Sequence, residues 1–166
     1  HSSGKSENEN RNITGISSRE GLALLDQIGE ELPNFLLAFE WVKKLEIRRE
    51  LCKLADELST FLNLRSHWIE WLWIAKLAVQ EAELSQDPKL IAIAGNNLAV
   101  VLRQLEYFND AMEYSRKSLF ICQVTRDLYG EGLAYGNLAG AYFGLGELTA
   151  SQSAYEKAQK IFRELG

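Results

Sequence analysis

Apolar residues recur at steps of three and four from about residue 17 to the end of the chain, and no stretch alternates like a strand for long. That spacing puts them on one face of a helix. Leu51, Leu54, Ala55, Leu58, Phe61 and Leu62 form the clearest stripe, and eight helices are predicted. The first starts at Ser17 or Ser18, where Ser17-x-x-Glu20 makes a capping box, and carries Leu22, Leu25 and Ile28 on one face to about residue 31. Pro33 has no amide hydrogen to lose in a first turn, so a second helix is expected to follow at once. It runs to near residue 44 with Phe35, Leu36, Phe39 and Val42 apolar. A third helix covers roughly 47–63 and a fourth about 67–84. Asp87 caps a fifth, with Pro88 at its first position, that reaches Gln104; Phe108 or Asn109 opens a sixth ending near Arg126. Asp127 caps a seventh, which stops before Gly144 and Gly146, and the eighth spans about 149–165. Short links between them read as four antiparallel pairs.

An internal repeat underlies this pattern. A shift of 40 positions carries Asn97-Leu98-Ala99 onto Asn137-Leu138-Ala139, Leu102 onto Tyr142, Leu105 onto Leu145 and Ile121 onto Ile161. One step back, it takes Leu98 to Leu58, Leu102 to Leu62 and Phe108 to Trp68, a more divergent third copy. A period of about 20 to 50 residues marks a solenoid or array. Residues 47–86, 87–126 and 127–166 are therefore read as three repeats, and 17–46 as an N-terminal capping helical pair. Residues 1–16, a tag-like His1-Ser2-Ser3-Gly4 followed by a polar stretch, are expected to be a tag remnant and disordered tail.

Composition narrows the function. The 166 residues suit one domain, and 46% hydrophobic content is enough for a core. A net charge of −5 with scattered Lys and Arg argues against nucleic acid and anionic membranes as partners, since both need a clustered basic face. No apolar run approaches the ~18 residues of a membrane span, and no secretory leader pattern is present, so a cytoplasmic location is expected. Cys52 and Cys122 lie among apolar neighbours and read as buried reduced thiols. Gly4-Lys5-Ser6 lacks the upstream glycine of a phosphate loop, and Asn12-Ile13-Thr14 is a sequon without secretory context. No nucleophile, paired carboxylate or metal-ligand spacing appears, so no enzyme, metal or cofactor is expected. His67, at a helix start, reads as a capping or surface residue.

In the last copy, Tyr135-x-x-Leu138-Ala139-x-x-Tyr142, Leu145-Gly146-Glu147 and Ser151-x-x-x-Tyr155-x-x-Ala158 resemble the tetratricopeptide repeat. That resemblance covers about residues 47–166 and implies an all-α, right-handed α-α superhelix of about three helix pairs plus the N-terminal pair. The period exceeds the usual ~34 residues and is similar to the longer repeats of kinesin light chains and of the C-terminal sensor arms of bacterial STAND/NB-ARC signalling ATPases. Leu62-Asn63-Leu64-Arg65-Ser66-His67-Trp68-Ile69-Glu70, preceded by Leu32-Pro33-Asn34-Phe35, resembles the segment leading into the repeats of the STAND proteins. It departs at Ser66, where that family usually has Gly, and at Trp71, where a small residue is usual. The chain ends at Glu164-Leu165-Gly166, where another repeat would normally begin, and is expected to be a fragment of a longer signalling protein.

By this resemblance the first helix of each pair lines a concave groove for a protein or peptide partner. The implied lining is Lys53, Asp56, Glu57, Thr60 and Asn63, then Ile93, Asn96, Asn97, Val100 and Arg103, then Leu133, Gly136, Asn137, Gly140 and Phe143. In kinesin-light-chain-like repeats the matching asparagines hold a bound peptide's backbone; a carboxamide carries donor and acceptor together, and Asn97 and Asn137 stand either in that role or in a bridge within the stack. Gly136 and Gly140, costly in mid-helix, mark a close approach by either the adjacent helix or a ligand. Trp68 reads as core; Trp71 and Trp73 are bulky where the other copies carry Ala111 and Ser151, or Glu113 and Ser153, and either pack on the N-terminal pair near Trp41 or form a docking patch. The expected function is a non-catalytic interaction scaffold. A small-effector sensor and an end-to-end self-assembly module, through the unfinished last repeat with Phe162 and Leu165, are the alternatives.

Overall fold

The computed structural model describes residues 18–44 and 47–166. Among them are seven helices and no strand. They fall into two compact units divided between Trp41 and Val42.

The second unit is a stack of three helix pairs. Its helices are α2 (Arg48–Leu64) with α3 (Trp68–Ser85), α4 (Pro88–Gln104) with α5 (Phe108–Thr125), and α6 (Leu128–Gly144) with α7 (Leu148–Leu165). Corresponding ends lie 40 residues apart throughout, at 48, 88 and 128 or at 68, 108 and 148. Each helix packs on the next in the chain, so the apolar face that one pair cannot bury alone is covered by its neighbour. Leu51, Leu62, Ile74, Leu98 and Val101 are fully buried in the core so formed. Small residues sit where helices approach closely: Ala111, Ser115 and Ser118 on α5, Ala154 and Ala158 on α7.

The turns are as regular as the helices. Ser66, Gln86, Glu106, Arg126, Gly146 and Gly166 have positive φ, one every 20 residues. Within each pair the turn closes in the Schellman pattern: His67 N–H donates to Leu62 O (2.9 Å), Tyr107 N–H to Leu102 O (2.8 Å) and Glu147 N–H to Tyr142 O (2.9 Å). Between pairs an aspartate starts the next helix. Asp87 Oδ1 accepts from Lys89 N–H (3.0 Å), and Asp127 Oδ1 accepts from Gly130 N–H (3.0 Å), satisfying amides that have no intrahelical partner. Arg49 Nη2 also reaches Asp87 Oδ2 (2.7 Å), tying α2 to the start of α4.

The first unit corrects one expectation. Pro33 does not open a second helix; it lies inside a single 27-residue helix, α1 (Ser18–Lys44). A mid-helix proline costs ~3 kcal/mol through one lost hydrogen bond and a clash with the carbonyl four residues back. Leu, Ala and Glu, all good helix formers, surround the proline on both sides. Breaking the helix there would create two more frayed ends and a second nucleation for a segment of marginal length. Continuity therefore wins. Among its described side chains Leu32 and Phe39, seven apart, are buried, Ile28, Phe35 and Leu36 are half-buried, and Asn34 Nδ2 donates to Glu31 Oε2 (2.6 Å) beside the proline. The expected cap at Ser17 and the side chains of Leu22, Leu25 and Val42 lie outside the described residues.

The left-handed turn residues give a direct test. For a side chain with a Cβ this conformation costs about 1 to 2 kcal/mol, and only Gly146 of the three intra-pair turns avoids it. Glu106→Gly is expected to stabilise the chain by about 1 kcal/mol and Gly146→Ser to destabilise it by a similar amount, read as midpoint shifts in urea unfolding. Equal midpoints for all three proteins would show that the turns carry no such cost.

Candidate partner-binding surface

The first helices of successive pairs touch one another, α2 with α4 and α4 with α6, while no comparable packing joins α3 to α5 or α5 to α7. Helices drawn together form the inner layer of a curved stack, and those spread apart form its outer layer. The inner faces of α2, α4 and α6 thus make the concave surface.

Two seams cross that surface, and both follow one offset. Asn97 Nδ2 donates to Asp56 Oδ1 (2.8 Å) and Gln104 Nε2 to Asn63 Oδ1 (3.4 Å); at the second seam Asn137 Nδ2 donates to Asn96 O (3.2 Å). In each case the partners are 41 residues apart. Asn96 Nδ2 donates across the second seam to Gly130 O (3.3 Å). The first seam is exposed and joined side chain to side chain. The second is buried, and its two asparagines bond to backbone.

The expected lining residues divide accordingly. Asp56, Thr60, Asn63, Asn97, Val100 and Arg103 come together on α2 and α4, exposed or half-buried. Lys53 and Glu57 are exposed on α2, and Ile93 is half-buried on α4. Asn96 and Asn137 are buried between α4 and α6, with Nδ2 of each engaged within the stack. Leu133, Gly136 and Phe143 are exposed on α6. Their phase is informative: Asn96 and Asp56, one and two periods before Gly136, both reach the following pair, as do Asn63 and Arg103, the counterparts of Phe143. Gly136 and Phe143 accordingly face away from the preceding pair. Gln104 is outside the expected lining; its signal was the 41-residue offset from Asn63, the same as from Asn97 to Asp56.

The two glycines of α6 have different surroundings. A methyl group on Gly140 would lie 2.5 Å from Arg103 Cδ and 2.9 Å from its Nε, so this glycine seats the arginine; a methyl group on Gly136 would meet nothing within 4 Å. Arg103 is half-buried across Gly140, and its Nε is buried without a hydrogen-bond partner among the described residues. Asn96 Oδ1 is likewise buried and unpartnered.

The tryptophans differ from expectation in which one is buried. Trp68, expected in the core, is half-buried, because its position opens the second helix of each pair, as Phe108 and Leu148 do. Trp71 is buried at the site filled by Ala111, stacked on Trp68 with ring centroids 6.1 Å apart. Trp73 and Trp41 are exposed. His67 stands at the cap position of α3 without a side-chain capping bond; its ring stacks on Phe61 at 5.9 Å.

Chemistry is sparse. Among the described residues no group of three or more His, Cys, Asp or Glu could hold a metal ion, and no described helix is long and apolar enough to cross a membrane. Burial, then the charges of Glu81 and Asp87, push the Cys52 thiol from 9.0 up to about 11. Burial, then Asp127 and Glu131, do the same for Cys122, to about 11. Both thiols are held protonated, so neither is a nucleophile at neutral pH.

Stacked helix pairs with an exposed inner face define the class: an α-solenoid, whose exposed inner surface suits it to recognition. Residues 133–164, which fall within α6 and α7, match the family model of the tetratricopeptide repeat. The last pair is thus tetratricopeptide-like, and that repeat is in general a non-catalytic protein–protein interaction scaffold. No curated protein matches the chain.

Two outcomes are expected from this geometry. Gly136→Ala should stabilise by roughly 1 kcal/mol, since it meets open space and gains helix propensity, while Asn137→Ala should destabilise by about 1 kcal/mol by removing a buried hydrogen bond that joins α6 to α4. Thermal melts of the two variants beside wild type check both signs. For the thiols, the folded pKa lies above the unfolded value, so their stabilisation is intact below pH 9.0 and falls as pH rises toward about 11. A pH series of urea midpoints with Cys52→Ala plus Cys122→Ala should show a weaker alkaline decline than wild type.

Proposed function

We propose that the chain binds an extended segment of a protein partner on the concave face of α2, α4 and α6. Arg103 is the observation that carries this reading. Its guanidinium is fixed on the inner face by Gly140, has no ion-pair partner among the described residues, and keeps a buried donor unpaired. A buried donor without an acceptor costs about 1 to 3 kcal/mol, a cost that a scaffold with no ligand has no reason to retain. Carbonyl or carboxylate oxygens of a bound segment would complete the arginine's hydrogen bonds. Asp56, Thr60, Asn63, Asn97 and Val100 lie beside it and would set the segment's register, whereas Asn137 holds the stack. The resemblance to sensor arms of STAND ATPases supports placing this binding in the regulatory part of a larger signalling protein, where occupancy would bias one state of an attached module.

Selection of a displayed random-peptide library on the immobilised chain tests this. Enriched peptides should bind Arg103→Ala about tenfold or more weakly in fluorescence anisotropy, and the outer-face variant Phe120→Ser as tightly as wild type. Peptides that ignore Arg103→Ala, or a library that yields none, would place recognition elsewhere.

A further inference from the structure

The three pairs share one geometry, but the first is built from poorer contacts. The position of Trp71 lies between the two helices of a pair: Ala111 is fully buried there, and Ser151 Oγ donates across the pair to Ala139 O (2.8 Å). Trp71 puts an indole in that place, 2% exposed, with its Nε1 buried and without a hydrogen-bond partner among the described residues. A bulky ring holds helices apart, and α2 packs less closely on α3 than α4 on α5 or α6 on α7. The unpaired donor weakens the pair further. Glu81 is a second departure. It takes the phase of Ile121 and Ile161, is 7% exposed, and meets Arg48 Nε at 3.3 Å. Burying that ion pair carries a desolvation cost that an isoleucine does not.

The seam between the first and second pairs is also the weaker of the two. Asn97 with Asp56 (2.8 Å), Gln104 with Asn63 (3.4 Å) and Arg49 with Asp87 (2.7 Å) are exposed pairs, for which water competes. At the second seam Asn96 and Asn137 bond to backbone in the interior, and Met112 and Leu119 of α5 pack on the core between α6 and α7. Likewise α3 meets α4 less closely than α5 meets α6. The stability of a solenoid is close to a sum of each repeat's own stability and the interface terms between neighbours. Its cheapest partial opening therefore releases the weakest repeat at the weakest interface, and here both belong to the first pair. A pair parted from its neighbour cannot bury its apolar face, so its helices lose their protection together.

We propose that the stack opens at its first seam: α2 and α3 part as one unit from α4–α7, with Asn97 and Asp56 as the clasp. Opening separates Asp56, Thr60 and Asn63 from Asn97, Val100 and Arg103, so it divides the concave face into two halves. A segment lying across α2 and α4 has to close the seam to touch both, and its apparent affinity falls by the fraction of chains that are open. The motion belongs to the chain alone and stands or falls without a partner. Hydrogen–deuterium exchange of the whole chain, read by mass spectrometry, tests it. Amides in the middle of α2 and of α3 should exchange with one common opening, about tenfold or more faster than those in the middle of α6, which flanks the central pair on its other side. Asn97→Ala should speed α2 and α3 by about two- to tenfold, the worth of one exposed hydrogen bond, and leave α5 and α6 unchanged. Asn137→Ala should do the converse, speeding α6 and α7 and leaving α2 and α3 as they were. Equal exchange in α2, α3 and α6, independent exchange of α2 and α3, or an Asn97→Ala effect spread evenly over all six helices would overturn the proposal.

Discussion

Everything in the stack depends on the chain reversing at a fixed interval. A left-handed residue every 20 positions from Ser66 to Gly166 makes all six helices of the three pairs nearly equal in length. Equal helices keep their apolar stripes in register from pair to pair, so each seam repeats the one before it. Reversal by a Schellman turn also satisfies the last carbonyls of α2, α4, α5 and α6, and an aspartate cap satisfies the first amides of α4 and α6. With helix ends closed locally, the seams are left to side chains.

Those seams are alike in geometry and different in chemistry. One offset of 41 residues governs both, but Asp56 meets Asn97 in water, whereas Asn96 and Asn137 meet backbone in the interior. The first seam therefore keeps its polar groups exposed on the inner face, and the second ties the stack together in its interior. Gly140 adds a further element, because a missing side chain on α6 is what lets Arg103 of α4 lie flat across the seam. Curvature follows from the same packing, since only the first helices of each pair touch their counterparts. The result is a stack whose inner surface is supported by buried asparagines and carries Arg103, Val100 and Thr60, half-buried or exposed.

Much of this was legible in the chain before any coordinates. Three-and-four spacing determines helices, the 40-residue shift determines a stack of pairs, and Asp87, Asp127, Pro88 and the glycines near 144 and 146 mark boundaries to within a residue or two, because capping is local chemistry. Trp68 and Trp71 show where local reading fails: repeat phase marks Trp68 as core and leaves Trp71 open between packing and a docking patch, yet their place on α3 makes Trp71 the buried one. Pro33 is similar, since propensity alone favours a break, and continuity wins by sparing a helix end. Asn97 and Asn137 share a repeat phase and a neighbouring Leu-Ala, so nothing in sequence separates them; the seams do. Gly136 and Gly140 look equivalent for the same reason until one is found under an arginine and the other in open space. Periodicity determines which residues share a face, because that depends only on the helix; what covers that face depends on the next pair, and only the tertiary structure decides it.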